Sequence, residues 1–186
     1  MSAADQLRQS LGPVVAPLGL VIEDVTVSPA GRRRVVRVLV DTDLAGLDDA
    51  DETSIVAPLS LDQVSDATHA VSAALEASVL LGEGPYVLEV SSPGVTRPLT
   101  TRDQFRRNVG RLVEIRRVAG TVTGRVVAVG TDMVQLAVPG VGKAAAQPVR
   151  VGLDDVERGI VQVEFDRGGH DGAEPSDDGP AIEEES

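Results

Sequence analysis

The chain has 186 residues and no cysteine, which removes disulfides, thiol nucleophiles and thiolate metal sites together. Hydrophobic residues are 42 % and charged residues 25 %, the proportions of a globular chain of one large or two small domains, and no apolar run approaches the roughly 20 residues that span a bilayer. The net charge of −12 argues against non-specific attraction to a polyanion.

Met1–Asp5 carries neither the basic nor the apolar region of a secretory signal, so a soluble, cytoplasmic chain is expected. Leu7, Leu11, Val14/Val15 and Leu18 recur at helical spacing. Pro13 and Pro17 interrupt that pattern and predict a short or kinked helix, with Gly19 as its C-cap. Leu20–Val27 and Val35–Val40 read as strands, and the Ser28–Arg33 link between them is rich in turn residues, so a β-hairpin is predicted. Residues 41–58 are acidic and irregular. Ser60-Leu61-Asp62-Gln63 has the form of a capping box. Behind it Val64, Ala67, Val71, Ala74/Leu75 and Ser78/Val79 keep one apolar face, which predicts a helix ending near Gly82. Tyr86–Val90 is a third strand. The order α-β-β-α-β predicts a two-layer α/β domain.

Ser92-Pro93-Gly94 breaks the chain, and Thr100 or Thr101 can cap a short helix running through Phe105 and ending before Gly110. Val-rich runs follow at Leu112–Arg116, Thr121–Val129, Met133–Val138, Pro148–Val151 and Ile160–Phe165, punctuated by glycines. Five short strands at this spacing predict a small β-barrel rather than a sandwich. Residues 166–186 hold eight acids against Arg167 and little apolar surface, so disorder is expected there. The expected class is α+β, with an N-terminal domain over 1–97, a small all-β domain over 98–165 and an acidic tail over 166–186.

Residues 41–52 approach the spacing of a calcium-binding loop, with Asp41, Asp43, Gly46 and Glu52 in place. Ala45 offers no side-chain oxygen at the fifth position, and a strand precedes the loop where a helix is required, so a solvated acidic loop is the better reading. His69 and His170 are isolated, and no nucleophile elbow, phosphate loop or dinucleotide fingerprint is present. The expectation is a protein without catalysis, cofactor or metal.

Positive charge is concentrated in two places. Arg32, Arg33, Arg34 and Arg37 lie on the hairpin and its outgoing strand. Their bland reading is a charged turn that blunts a sheet edge, and their functional reading is a set of phosphate contacts on a protruding loop. Arg97, Arg102, Arg106, Arg107, Arg111, Arg116, Arg117 and Arg125 stand against only Asp103 and Glu114 across residues 97–125. Arginine suits bidentate phosphate contact, and charges farther off than about 8 Å are largely screened at physiological salt. Only three aromatics, Tyr86, Phe105 and Phe165, are present, which argues against base stacking and for backbone or shape recognition.

The stretch Leu88-Glu89-Val90-Ser91-Ser92-Pro93-Gly94-Val95-Thr96-Arg97-Pro98-Leu99 is a strand entering a tight turn between the two expected domains. It resembles, without a gap, the hallmark of the ribosome maturation factor RimP family. The order of elements over about residues 1–165 agrees with it too. That resemblance implies a KH-like N-terminal domain, an SH3-like C-terminal barrel and no catalytic residues. It also implies binding to the small (30S) ribosomal subunit during assembly, near ribosomal protein number twelve and adjacent rRNA. A monomer with no membrane attachment is expected. A module that binds protein alone is the second reading, favoured by the net acidity. No G-x-x-G loop is evident in the N-terminal half, so a KH-like fold does not carry KH activity.

Overall fold

A computed structural model describes residues 2–48, 50–82, 84–140 and 144–164. The tail 166–186, and Phe165 as the end of the last expected strand, lie outside the described residues. The chain is α+β, with an N-terminal α/β region followed by an antiparallel sheet.

Helix α1 (Ala3–Val15) begins at Ser2, whose hydroxyl accepts from the Asp5 backbone N–H while the Asp5 carboxylate accepts from the Ser2 N–H. This reciprocal cap satisfies two otherwise orphaned donors. Leu7, Leu11 and Val15 form its buried stripe. The helix runs through Pro13 and then tightens into a 3-10 turn, Ala16–Leu18, closed by Gly19 at φ 70°. That left-handed conformation costs glycine nothing.

Strands β1 (Leu20–Ala30) and β2 (Arg33–Thr42) form the hairpin. Both run farther than the apolar alternation predicts. Ser28, Pro29 and Ala30 pair with Val35, Arg34 and Arg33, so the ladder continues through polar residues and only Gly31 and Arg32 remain to turn. Gly31, at φ 63°, makes so short a turn possible. Strand β3 (Tyr86–Ser91) lies parallel to β2, giving the order β1-β2-β3. Val36, Val38 and Val40 of the central strand are fully buried beneath α1 and α2 (Leu61–Glu76).

The α2 capping box is present as read: Gln63 N–H donates to the Ser60 hydroxyl, and the Gln63 side chain accepts from Ser60 N–H. The helix stops at Glu76, short of Gly82, and Val79 is 90 % exposed instead of extending the apolar face. Ser78 accounts for the early stop, since its hydroxyl accepts from Leu80 N–H and offers the backbone a turn in place of a helical bond.

Helix α3 (Arg102–Arg106) is capped by Thr101. Strands β4 (Leu112–Arg117), β5 (Gly120–Val129), β6 (Met133–Val138), β7 (Gln147–Gly152) and β8 (Val156–Val161) then form an antiparallel sheet of order β7-β6-β5-β4-β8. Its core is Phe105 with Val113, Ile115, Val126, Val134, Leu136 and their neighbours. The last strand starts at Val156 rather than Ile160. A 3-10 turn at Leu153–Asp155 reverses the chain earlier, and Glu157, Arg158 and Gly159 interrupt the Val-rich pattern that marked the other strands. Gly159 has a packing role, because a Cβ there would sit 2.8 Å from the Phe105 ring. Among the described residues no helix is long and apolar enough to cross a membrane.

Candidate functional site

The two sheets meet around the Leu88–Leu99 stretch. After β3 the chain turns, with Arg97 N–H donating to the Gly94 carbonyl at 2.9 Å. Leu99 then exchanges two 2.8 Å backbone hydrogen bonds with Gly159 of β8. The sequence motif therefore leaves the edge of one sheet and docks on the edge of the other. Beside it lies a cleft of about 360 Å³ whose lining includes Pro93, Val95, Glu23, Arg107 and Arg111.

Helix α3 is only five residues long, yet its C-terminal end supplies the main polar ties across this junction. Arg106 is 1 % exposed. Its Nε donates to the Asp51 carbonyl at 3.0 Å and its Nη1 to the Ser54 carbonyl, while Nη2 lies 3.3 Å from the Asp51 carboxylate. Arg107, next along the chain, points to the first sheet. Its Nε donates to the Thr42 carbonyl at 2.8 Å and its Nη1 to Glu23 Oε1 at 2.5 Å, with Asp41 at 4.0 Å. The other oxygen of Glu23 accepts from Gln104 Nε2. Arg97 reaches Asp24 at 3.4 Å. Charges removed from water are tolerable when paired and hydrogen-bonded in this way.

The carboxylates respond to their surroundings in opposite directions. Burial pushes the Asp41 carboxyl above its ordinary value, against the lowering effects of the Thr42 N–H and the Arg107 guanidinium. Asp51 is held below its ordinary value, first by its hydrogen bonds with Ser54 and least by Arg106.

Sequence reading offers Arg106 and Arg107 as phosphate contacts, but the fold turns both inward, because carbonyls and acids from strands β1 and β2 and the 51–54 segment converge on them. The other arginines divide between exposed and half-buried positions. Arg32 and Arg33 are exposed at the hairpin tip and make no ion pair among the described residues. Arg34 reaches the Gly84 carbonyl only at 3.5 Å, and Arg37 forms an exposed pair with Glu89 at 2.7 Å. Arg102 donates to the Gly130 carbonyl and lies 3.5 Å from Asp103. Arg116 pairs with Glu157 at 3.0 Å, and Arg125 with Glu164. Arg117 is half-buried with its Nε lacking a partner among the described residues.

The 41–52 spacing gathers no metal site: among the described residues no three acidic or histidine side chains converge. Asp43 instead accepts from Ala45 N–H, and Asp51 from Thr53 and Ser54 N–H. These are local turns of the kind short acidic side chains make. Glu23, Thr42, Asp51 and Ser54 escape sequence reading, since nothing local marks them as partners of an arginine far along the chain. Gly159 escapes it too, because the apolar pattern of the last strand begins only after it.

Residues 10–96 match the RimP N-terminal domain family. A curated protein described as Ribosome maturation factor RimP, from Kineococcus radiotolerans, is 46 % identical over 161 residues, an alignment covering 82 % of this chain and 73 % of that protein.

Proposed function

The chain belongs to the RimP family, and from that premise we propose that it is a maturation factor of the small ribosomal subunit, acting in the cytoplasm without catalysis or cofactor. The observation that carries this reading is the unbroken Leu88–Leu99 stretch in a chain 46 % identical to a ribosome maturation factor. We read the α/β region as a KH-like domain over 1–97 and the antiparallel sheet as an SH3-like barrel over 98–165. The α-β-β-α-β order and the separate buried clusters of the two regions support that division. The proposed partners of the monomer are ribosomal protein number twelve and adjacent rRNA.

In this reading rRNA phosphates are met first by Arg32 and Arg33, which are exposed at the hairpin tip and make no ion pair among the described residues. Arg34, Arg37, Arg102, Arg116 and Arg117 would add to that field. Arg97, Arg106 and Arg107 support it indirectly by holding the junction. The inward turn of the last two favours a second reading, in which the ribosomal protein supplies nearly all of the contact and rRNA very little.

Co-sedimentation with immature small subunits, mature small subunits and large subunits, at about 50 and 200 mM salt, tests the proposal. Selective recovery with small subunits, strongest for immature particles and weakened by salt, is the expected result, because released counterions make phosphate contacts salt-dependent. Salt-insensitive recovery with small subunits would favour the protein-only reading. No recovery with any particle would overturn both.

A further inference from the structure

Among the described residues the 43–59 segment contributes none to either buried cluster, Leu59 alone packing partly against the first. Its course is unusual. It leaves β2 at Thr42, with Asp43 N–H held by the Gly19 carbonyl, and returns to the same region at Ser60, the cap of α2. Between those ends it is fastened to the other region. Val129 N–H of β5 donates to the Glu52 carbonyl at 2.9 Å, and Arg106 of α3 takes the Asp51 and Ser54 carbonyls. Ile55 lies over Gly110, although it remains 76 % exposed.

The fastening is polar, and the apolar cores on either side are separate. Regions joined by a polar interface move relative to one another by default, unless specific contacts hold them. Arg106 carries the charge-assisted part of the strap's fastening, and such bonds are roughly twice as strong as neutral ones, while Arg107, Gln104 and Arg97 make a separate set of ties to Glu23, Thr42 and Asp24.

We propose that residues 43–59 form a strap that narrows the orientation of the antiparallel sheet against the α/β region, with Arg106 as its latch, and that releasing the latch widens the swing that the remaining Arg107–Glu23, Arg97–Asp24 and Leu99–Gly159 ties permit while each region stays folded. The strap belongs wholly to the α/β region, so it can come away without unravelling the sheet it grips. Arg106 is then a positioning residue, and it sets where the hairpin arginines stand relative to β4–β8.

The absence of cysteine permits a direct test on the full chain. Ala73→Cys on α2 and Thr123→Cys on β5, both at exposed positions, carry nitroxide labels, and pulsed dipolar spectroscopy reads the distance between them. One narrow distribution is expected in this background. Adding Arg106→Ala, or replacing residues 50–56 with a glycine-serine stretch of equal length, should broaden it at least twofold, while the amide spectra of both sheets stay dispersed. The strap replacement removes nothing from either buried cluster, so it decides the matter if Arg106→Ala fails to fold. A broad distribution before either change, or a narrow one after the strap replacement, would overturn the proposal.

Discussion

The hairpin arginines and the α3 arginines look alike as sequence and behave oppositely as structure. Arg32 sits in the two-residue turn between strands and Arg33 opens β2 beside it, both exposed to water. Arg106 and Arg107 follow a capped turn of helix that carries Phe105 into the core of the second sheet, and their guanidinium groups are drawn in with it. The difference teaches that a dense run of positive charge does not define a binding face. What decides is whether the fold brings carbonyls and acids to each cation.

That contrast can be tested at both ends. The largest expected effect is at Arg106. Arg106→Ala leaves the Asp51 and Ser54 carbonyls without their donor and empties the volume of a side chain that is fully buried, the kind of core change that gives the larger stability losses. Urea denaturation measures it, and a loss below about 1 kcal/mol would put Arg106 in the same class as the hairpin residues. Next comes Gly159→Ala, which drives a methyl group against the Phe105 ring that seats α3. Overpacking of this kind costs about 1–3 kcal/mol. Combining it with Phe105→Leu should recover part of the loss, and strict additivity of the two changes would show that the contact is not shared.

A smaller effect comes from Asp41. Its carboxyl has a folded pKa raised above 3.8. The folded state therefore binds more proton than the unfolded chain, and stability falls as pH rises from about that value through the raised one. Asp41→Asn should flatten that fall. Asp51 works in the other sense, with its contribution present above 3.8 and lost as pH drops through its lowered value. Denaturation midpoints of the parent, Asp41→Asn and Asp51→Asn at pH values on both sides of 3.8 separate the two slopes. The smallest stability change, within about 0.5 kcal/mol, is expected for Arg32→Ala with Arg33→Ala, as for other surface changes. In binding to immature small subunits the same pair should reduce the log–log salt slope by about 1.4, taking about 0.7 per phosphate contact. An unchanged slope would remove these two residues from the interface.

How much could be read beforehand follows from how local each signal is. The cap at Ser60, the stripe Leu7–Leu11–Val15 and the strand run Val35–Val40 are written within a few residues, and all three are present in the structure. The end of α2 escapes sequence reading because one hydroxyl, that of Ser78, outweighs an apolar face that continues in the sequence through Val79. The last strand was placed late because the residues that begin it are charged. At the candidate site, the turn at Ser92–Gly94 was legible from its proline and glycine. The inward direction of Arg107 was not, since Glu23 lies 84 residues away in sequence and only the folded arrangement of β1, β2 and α3 brings them together.

The strap also has a consequence for the order in which the chain is made. Residues 43–59 are synthesised before Arg106 and Val129, so the carbonyls of Asp51, Glu52 and Ser54 are first satisfied by water. The α/β region, complete by Ser91, can fold as a unit ahead of the rest. The antiparallel sheet is synthesised last, and its arrival displaces that water and closes the strap.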